Sequence, residues 1–164
     1  MKHFLTILTS IIFALAMSAQ FNTSSPLGNQ SAAPVAVNWK ASMKMTSSTV
    51  GIITLTADIQ QGWHIYGTKA VKSGPIATQF SFDKLNNVVL VGKTKSSKKA
   101  SSHFDKTFDA KVSWWEGKVV FTQKFKVTNP SAPYSIGGNV KYMSCNEDKQ
   151  KCNPPKAFEF SFKK

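Results

Sequence analysis

Tyr142-Met143-Ser144-Cys145-Asn146-Glu147-Asp148-Lys149-Gln150-Lys151-Cys152-Asn153-Pro154-Pro155 holds both cysteines of the chain. The six residues between the sulfurs are all hydrophilic. Gly138 to Ser144 reads as a strand leading in. On the way out Phe158, Phe160 and Phe162 alternate with Glu159, Ser161 and Lys163. A period of two is the signature of a strand with one face buried. The segment therefore reads as a long hairpin loop that the two sulfurs could clamp. Pro154-Pro155 cannot continue a helix and can only lead up to a central strand. A disulfide needs its Cα atoms within roughly 7 Å, which opposed residues flanking such a loop satisfy. Such a bond is either a staple or a reagent.

The same period runs upstream. Val37, Trp39, Ala41, Met43 and Met45 alternate with Asn38, Lys40, Ser42 and Lys44. Thr49 to Ile59 is β-branched and mostly apolar, which suits a more central strand. Trp63 to Tyr66 is a short aromatic strand after the Gln61-Gly62 turn, and Phe80 and Phe82 share a face of the next. Val88 to Val91 is a strand ended by Gly92. A lysine- and serine-rich loop follows, with Lys93, Lys95, Lys98 and Lys99, and then Ser102 to Phe108, which has no clear period. Lys111 to Trp115 and Lys118 to Val127 read as a hairpin around Glu116-Gly117. Trp114 and Trp115 point to opposite sides, one into the core and one into an exposed patch. Phe80, Phe82, Phe158, Phe160 and Phe162 are core candidates. With about eight or nine short strands and no amphipathic helix, the expected fold is an all-β, immunoglobulin-like sandwich.

The N-terminus reads as a processing signal. Lys2 and His3 precede an apolar stretch from Phe4 to Leu15, and small residues follow at Ala14, Ala16, Ser18 and Ala19. This is a secretory signal over residues 1–19, cut before Gln20 or after Ala16. The apolar run falls short of the ~20 residues of a membrane span. No cysteine at the cut offers a site for lipid. Residues 20–34 form a flexible leader rich in Ser, Asn, Gln and Pro, and residues 35–164 form one domain. The expected product is soluble and exported, where disulfides persist.

The formal charge is +13, and all 21 basic residues are lysine. Base readout and bidentate phosphate recognition lean on arginine, so nucleic acid is a poor candidate partner. The excess sets solubility and attraction to anionic surfaces or acidic partners. The cysteine spacing is not the two-residue spacing of a thioredoxin-type site. His3, His64 and His103 do not sit at metal-ligand spacing near the cysteines, so no metal or other cofactor is expected. No Ser-His-Asp, paired-carboxylate or phosphate-loop arrangement is visible.

Three stretches together resemble a known family, the N-terminal periplasmic domain of the thiol:disulfide interchange protein DsbD. They are Gly62-Trp63-His64-Ile65-Tyr66 with Gly74-Pro75; Asp105-Lys106-Thr107-Phe108 with Trp114-Trp115-Glu116-Gly117; and Val140 through Cys145 to Cys152-Asn153-Pro154-Pro155. The resemblance runs from about Val35 to Phe162, and its third stretch is the specific one. It implies an immunoglobulin-like sandwich with a redox-active pair, Cys145 and Cys152, near one end. It implies a cap loop around Asp105 that shields the pair with an aromatic ring, Phe104 or Phe108, and places His64 and Tyr66 beside the sulfurs. It implies a periplasmic monomer that takes electrons from a membrane-embedded thiol reductant, here on another chain, and hands them to thioredoxin-like partners or disulfide isomerases. Cys152 would be the sulfur that attacks the partner.

Other readings compete. The bond could be structural, worth about 2.5 kcal/mol through the unfolded state, in a secreted sandwich that only binds a partner. Met43, Met45, Met143 and the cysteines could supply soft ligands for copper or haem, although the first two methionines alternate as core residues do. Lys149 and Lys151 favour a thiolate while Glu147 and Asp148 oppose it.

Overall fold

The computed structural model describes residues 35–164, and the signal and leader expected over residues 1–34 lie outside the described residues. The described residues form twelve strands and no helix, in three antiparallel sheets. Sheet I has the order β1 (Val37–Met45), β2 (Val50–Ile59), β8 (Lys118–Val127), β5 (Val88–Ser96). Sheet II has the order β11 (Lys151–Cys152), β10 (Ser144–Asn146), β3 (His64–Tyr66), β7 (Ala110–Glu116), β6 (Ser101–Asp105). Sheet III has the order β12 (Lys156–Lys163), β9 (Ser135–Tyr142), β4 (Gln79–Asn86). The fold is the expected all-β, immunoglobulin-like sandwich.

Alternation builds the core. Ile53, Leu55, Ala57 and Ile59 of β2 and Val119, Phe121, Phe125 and Val127 of β8 are all buried. They meet Ile136 and Val140 of β9, Phe160 of β12, and Ile65 and Trp115 of sheet II in one cluster. Phe80, Phe82, Phe158 and Phe162 are partly buried against it. Phe121 lies at the centre. Its ring centroid is 4.7 Å from Phe80, 5.0 Å from Trp115 and 5.9 Å from Trp39. Such pairs add about 0.5–1.5 kcal/mol each beyond area burial, and Phe121→Ala should cost about 3–5 kcal/mol.

The structure corrects four local expectations. The Glu116-Gly117 turn does not close a hairpin. β7 lies in sheet II and β8 in sheet I, so the turn carries the chain between sheets. Gly117 turns with φ of +60° and its carbonyl accepts from Ile59 N at 3.2 Å, at the end of β2. β5 does not stop at Gly92 but continues to Ser96 through a bulge. The aperiodic stretch before the cap begins as β6, the edge of sheet II. Trp114 and Trp115 do face opposite ways, but neither is exposed, because both faces of β7 are covered.

Candidate functional site

The cysteine hairpin branches off the C-terminal hairpin of sheet III. β9 and β12 pair from Ser135↔Lys163 to Tyr142↔Lys156. Beyond Met143 the chain leaves sheet III, and β10 pairs with β3 of sheet II through Cys145↔His64 and Ser144↔Ile65. β11 returns with Cys152 directly opposite Cys145. The two form a disulfide with Cα atoms 4.0 Å apart.

Register then decides what surrounds the sulfurs, because directly opposed residues share a face. Cys145 stands opposite His64, Tyr66 opposite Trp114, Val112 opposite His103, and Ala110 opposite Asp105. All of these lie on the face of sheet II that turns away from the main core. Ile65 and Trp115 occupy the other face and belong to that core. The outward face makes its own buried cluster of Tyr66, Val112, Trp114 and Cys145. Phe108, Val71, Ala110, Met143 and Cys152 pack against it. Cys145 is 3% exposed, whereas Cys152 is only partly buried.

Hydrogen bonds hold the hairpin on both sides of the bond. Asn146, buried, accepts at Oδ1 from Lys149 N at 2.9 Å and so closes the Glu147–Gln150 turn. Asn153 N donates to Ser144 O at 2.8 Å, and Asn153 Nδ2 donates to Ser144 Oγ at 3.1 Å. Between this turn and the loop after β6 lies a polar cleft of about 230 Å³, lined by Lys106, Thr107, Glu147, Asp148 and Gln150.

The loop around Asp105, expected to act as a cap, is anchored from below. Asp105 is 2% exposed, and its carboxylate accepts from Tyr66 OH at 2.6 Å. Its other oxygen accepts from Thr107 N at 2.9 Å and Phe108 N at 3.4 Å. One buried carboxylate thus gathers three donors and turns the chain so that Phe108 lies edge-on to Tyr66, with centroids 6.1 Å apart. Burial, then the hydrogen bond to Asp105 and its charge, push the Tyr66 hydroxyl far above the usual tyrosine range, so it stays a donor. Phe104 does not share this place. It sits one residue from Asp105 in a strand and therefore on the opposite face. It is 60% exposed and belongs to neither cluster. The alternation of β6 thus places Phe104 away from the cluster that holds the cysteines.

His64 is 2% exposed and stacks on Trp114 at 4.0 Å, edge-on to Tyr66 at 4.9 Å. Desolvation lowers its pKa to about 4 against the opposing pull of Asp105 and Glu116, so at neutral pH it is uncharged. Trp114 and His103 belong to this face but were not among the expected site residues. His103 stacks on the other side of Trp114 at 4.0 Å, and the indole N–H donates to Glu116 Oε1 at 3.0 Å. Trp114 has the parity of Val112 and of Glu116, opposite to core-facing Trp115, but only the pairing of β7 with β3 and β6 shows that this face is covered. Among the described residues no group of three or more His, Cys, Asp and Glu is arranged to hold a metal.

Among the solved structures that resemble the chain are two N-terminal domains. One is the N-terminal domain of DsbD from Neisseria meningitidis in its reduced form, with TM-score 0.50 and 17% identity over 77% of this chain and 84% of that one. The other is the N-terminal periplasmic domain of ScsB from Proteus mirabilis, with TM-score 0.51 and 14% identity over 78% of this chain and 45% of that one. At these identities the likeness is one of fold, and less than half of the ScsB chain is matched. No curated protein matches the chain. The family model described as "Thiol:disulfide interchange protein DsbD, N-terminal" matches residues 31–164. That span takes in every strand of the described residues and both cysteines, and the chain belongs to the family of DsbD N-terminal domains.

Proposed function

We propose that the chain exchanges thiols and disulfides, passing electron pairs through Cys145 and Cys152 to thioredoxin-like partners in the periplasm. The observation that carries this reading is the position of the bond. It lies on the outward face of sheet II, outside the main core, in the same small cluster as Phe108, whose loop the Tyr66–Asp105 pair ties down. A staple is of most use where it ties core strands together. This one closes a two-strand hairpin that hydrogen bonds already hold.

The chemistry balances within the pair. In the dithiol form, the Cys152 thiolate attacks one sulfur of a partner disulfide, whose other sulfur leaves as thiolate and takes a proton. A mixed disulfide results. Cys145, as thiolate, then attacks Cys152, forms the bond seen here, and releases the partner's second thiolate. Two electrons and two protons have moved to the partner. A membrane-embedded thiol reductant on another chain would return them by the reverse sequence. Cys152 takes the attacking role because it is the more exposed of the two cysteines. Neutral His64 gives Cys145 no cationic neighbour, so the imidazole acts as packing. Phe108, packed in the same cluster as the pair, is the ring proposed to shield it.

The test is an equilibrium titration of the protein against a glutathione couple, read by thiol alkylation. The expected midpoint lies above about −300 mV, with the fold intact in both forms. A bond that opens only when the sandwich unfolds would return the chain to a binding module with a structural disulfide. Cys145→Ser should trap a thioredoxin-like partner through Cys152; trapping by Cys152→Ser instead reverses the two roles.

A further inference from the structure

The outward face of sheet I carries a charge pattern that the thiol site does not use. Alternation points Lys40 and Lys44 of β1 and Lys124 and Lys126 of β8 away from the core, and all four are exposed. β5 adds two more by an irregularity. Between Val91↔Lys124 and Lys95↔Thr122, β5 spends three residues where β8 spends one. Gly92 turns there with φ of +70°. The bulge is built rather than loose. The Gln123 side chain, 2% exposed, donates to Val91 O and Gly92 O at 3.3 Å each and accepts from Thr94 Oγ1 at 2.9 Å. Its effect is to bring Lys93 and Lys95 to the rim of one depression with Lys124, about 370 Å³ in volume and floored by Ile52, Val91, Gly92 and Thr122. Val89 and Val91 stand among these lysines 48% and 41% exposed. The one acid that the register puts on this face, Asp58, stands opposite Lys118. Lys40, Lys44, Lys93, Lys95, Lys124 and Lys126 face solvent without an acid opposite them in the register.

We propose that this face docks on the surface of an anionic phospholipid bilayer. Lysines at the rim meet headgroup phosphates, and Val89 and Val91 enter the interface between them. A broad sheet face of one sign matches a broad surface of the other. Point-charge lysines suit a diffuse field of phosphates, whereas a nucleic acid or a defined acidic peptide is commonly gripped by the planar fork of arginine, which this chain lacks. Sheet II packs on the inner side of sheet I, with Trp115 5.0 Å from Phe121. The disulfide, on the far face of sheet II, therefore points away from the docked surface and stays open to a soluble partner.

The test is sedimentation of the chain as the cell releases it, with the same N-terminus in every arm. It is mixed with vesicles of phosphatidylglycerol and phosphatidylcholine, or of phosphatidylcholine alone. Binding should require phosphatidylglycerol and weaken steeply between about 0.05 and 0.5 M salt. Lys93→Glu with Lys95→Glu and Lys124→Glu should raise the lipid needed for half-binding by at least about tenfold. A charge-matched control on sheet III, Lys84→Glu with Lys141→Glu and Lys163→Glu, should raise it by less than about threefold. Circular dichroism on each variant confirms the fold. Equal losses in both variants would reduce the effect to net charge and overturn the proposal. So would no dependence on phosphatidylglycerol, or tighter binding to polyglutamate or single-stranded DNA than to the vesicles.

Discussion

Tyr66 and Asp105 lie 39 positions apart in the chain, and their 2.6 Å hydrogen bond joins β3, which pairs with the cysteine hairpin, to the loop after β6. A hydrogen bond to a buried carboxylate is worth about 1.5–3 kcal/mol, and removing the donor leaves the charge short of a partner. Tyr66→Phe should therefore loosen the cap loop as well as destabilise the domain by about that amount. Phe108→Ala should act on the cap alone. Losing about 1.4 kcal/mol of ring packing opens the site tenfold more often, so dithiothreitol should reduce the bond roughly tenfold faster, measured by stopped reaction and alkylation. Phe104→Ala, on the other face, should leave that rate unchanged. His64 makes a separate statement about pH. Its folded pKa of about 4 lies below the unfolded value of 6.5, so the unfolded chain binds the extra proton between these limits. The stabilisation is full above pH 6.5 and is lost as pH falls towards 4, by up to about 3 kcal/mol. Urea unfolding at pH 7 and pH 5 should show this loss, and His64→Gln should flatten the difference; an unchanged slope would mean that His64 titrates normally.

At the scale of elements the cysteine hairpin depends on a glycine outside it. Gly62 ends the turn before β3 with φ of +78°, and a Cβ there would stand 3.1 Å from Asn146 Nδ2, the side chain that closes the cysteine turn. Gly62→Ala combines left-handed strain of about 1–2 kcal/mol with pressure on Asn146. The expected outcome is a lower thermal midpoint together with faster reduction of the bond; loss of stability with an unchanged reduction rate would separate the turn from the site. Elements of this kind were partly legible in the sequence. β1 runs over Val37–Met45, where strict alternation places it, and the pairing of β9 with β12 follows from the runs flanking the cysteines. Pairing across sheets was not legible. Alternation tells which side chains share a face but not which sheet a strand joins, so β7 and β8 read as a hairpin while Gly117 sends them apart. The bulge in β5 hid that strand's continuation, because three residues opposite one break the period. At the site the order of types in Asp105 to Phe108 pointed to the loop that packs beside Tyr66. Choosing between Phe104 and Phe108 required knowing that β6 is a strand, and Trp114 required knowing that both faces of β7 are covered.

At the scale of the whole molecule, the sulfurs stand outside the cooperative core. The main cluster contains residues of sheets I, II and III but neither cysteine; these belong to the smaller cluster on the outward face of sheet II. Breaking the bond therefore removes a constraint on the unfolded chain without opening a hole among Phe121, Trp39, Trp115 and Val140. The bond closes a loop with a sequence separation of 7. Chain entropy puts the stabilisation from so short a loop at about 2.5 kcal/mol, a minor part of the roughly 5–15 kcal/mol of a typical domain. A carrier must survive in both redox forms, and these magnitudes allow it. The reduced protein should keep its far-ultraviolet dichroism and a single cooperative unfolding transition, with its thermal midpoint lowered by about 5–10 °C. The hydrogen bonds from Asn146 and Asn153 should hold the hairpin near its oxidised geometry, so the larger change is expected in hydrogen exchange at Glu147–Lys151 and the cap. If reduction instead abolished the transition, the disulfide would be supporting the sandwich itself, and no carrier could cycle through it.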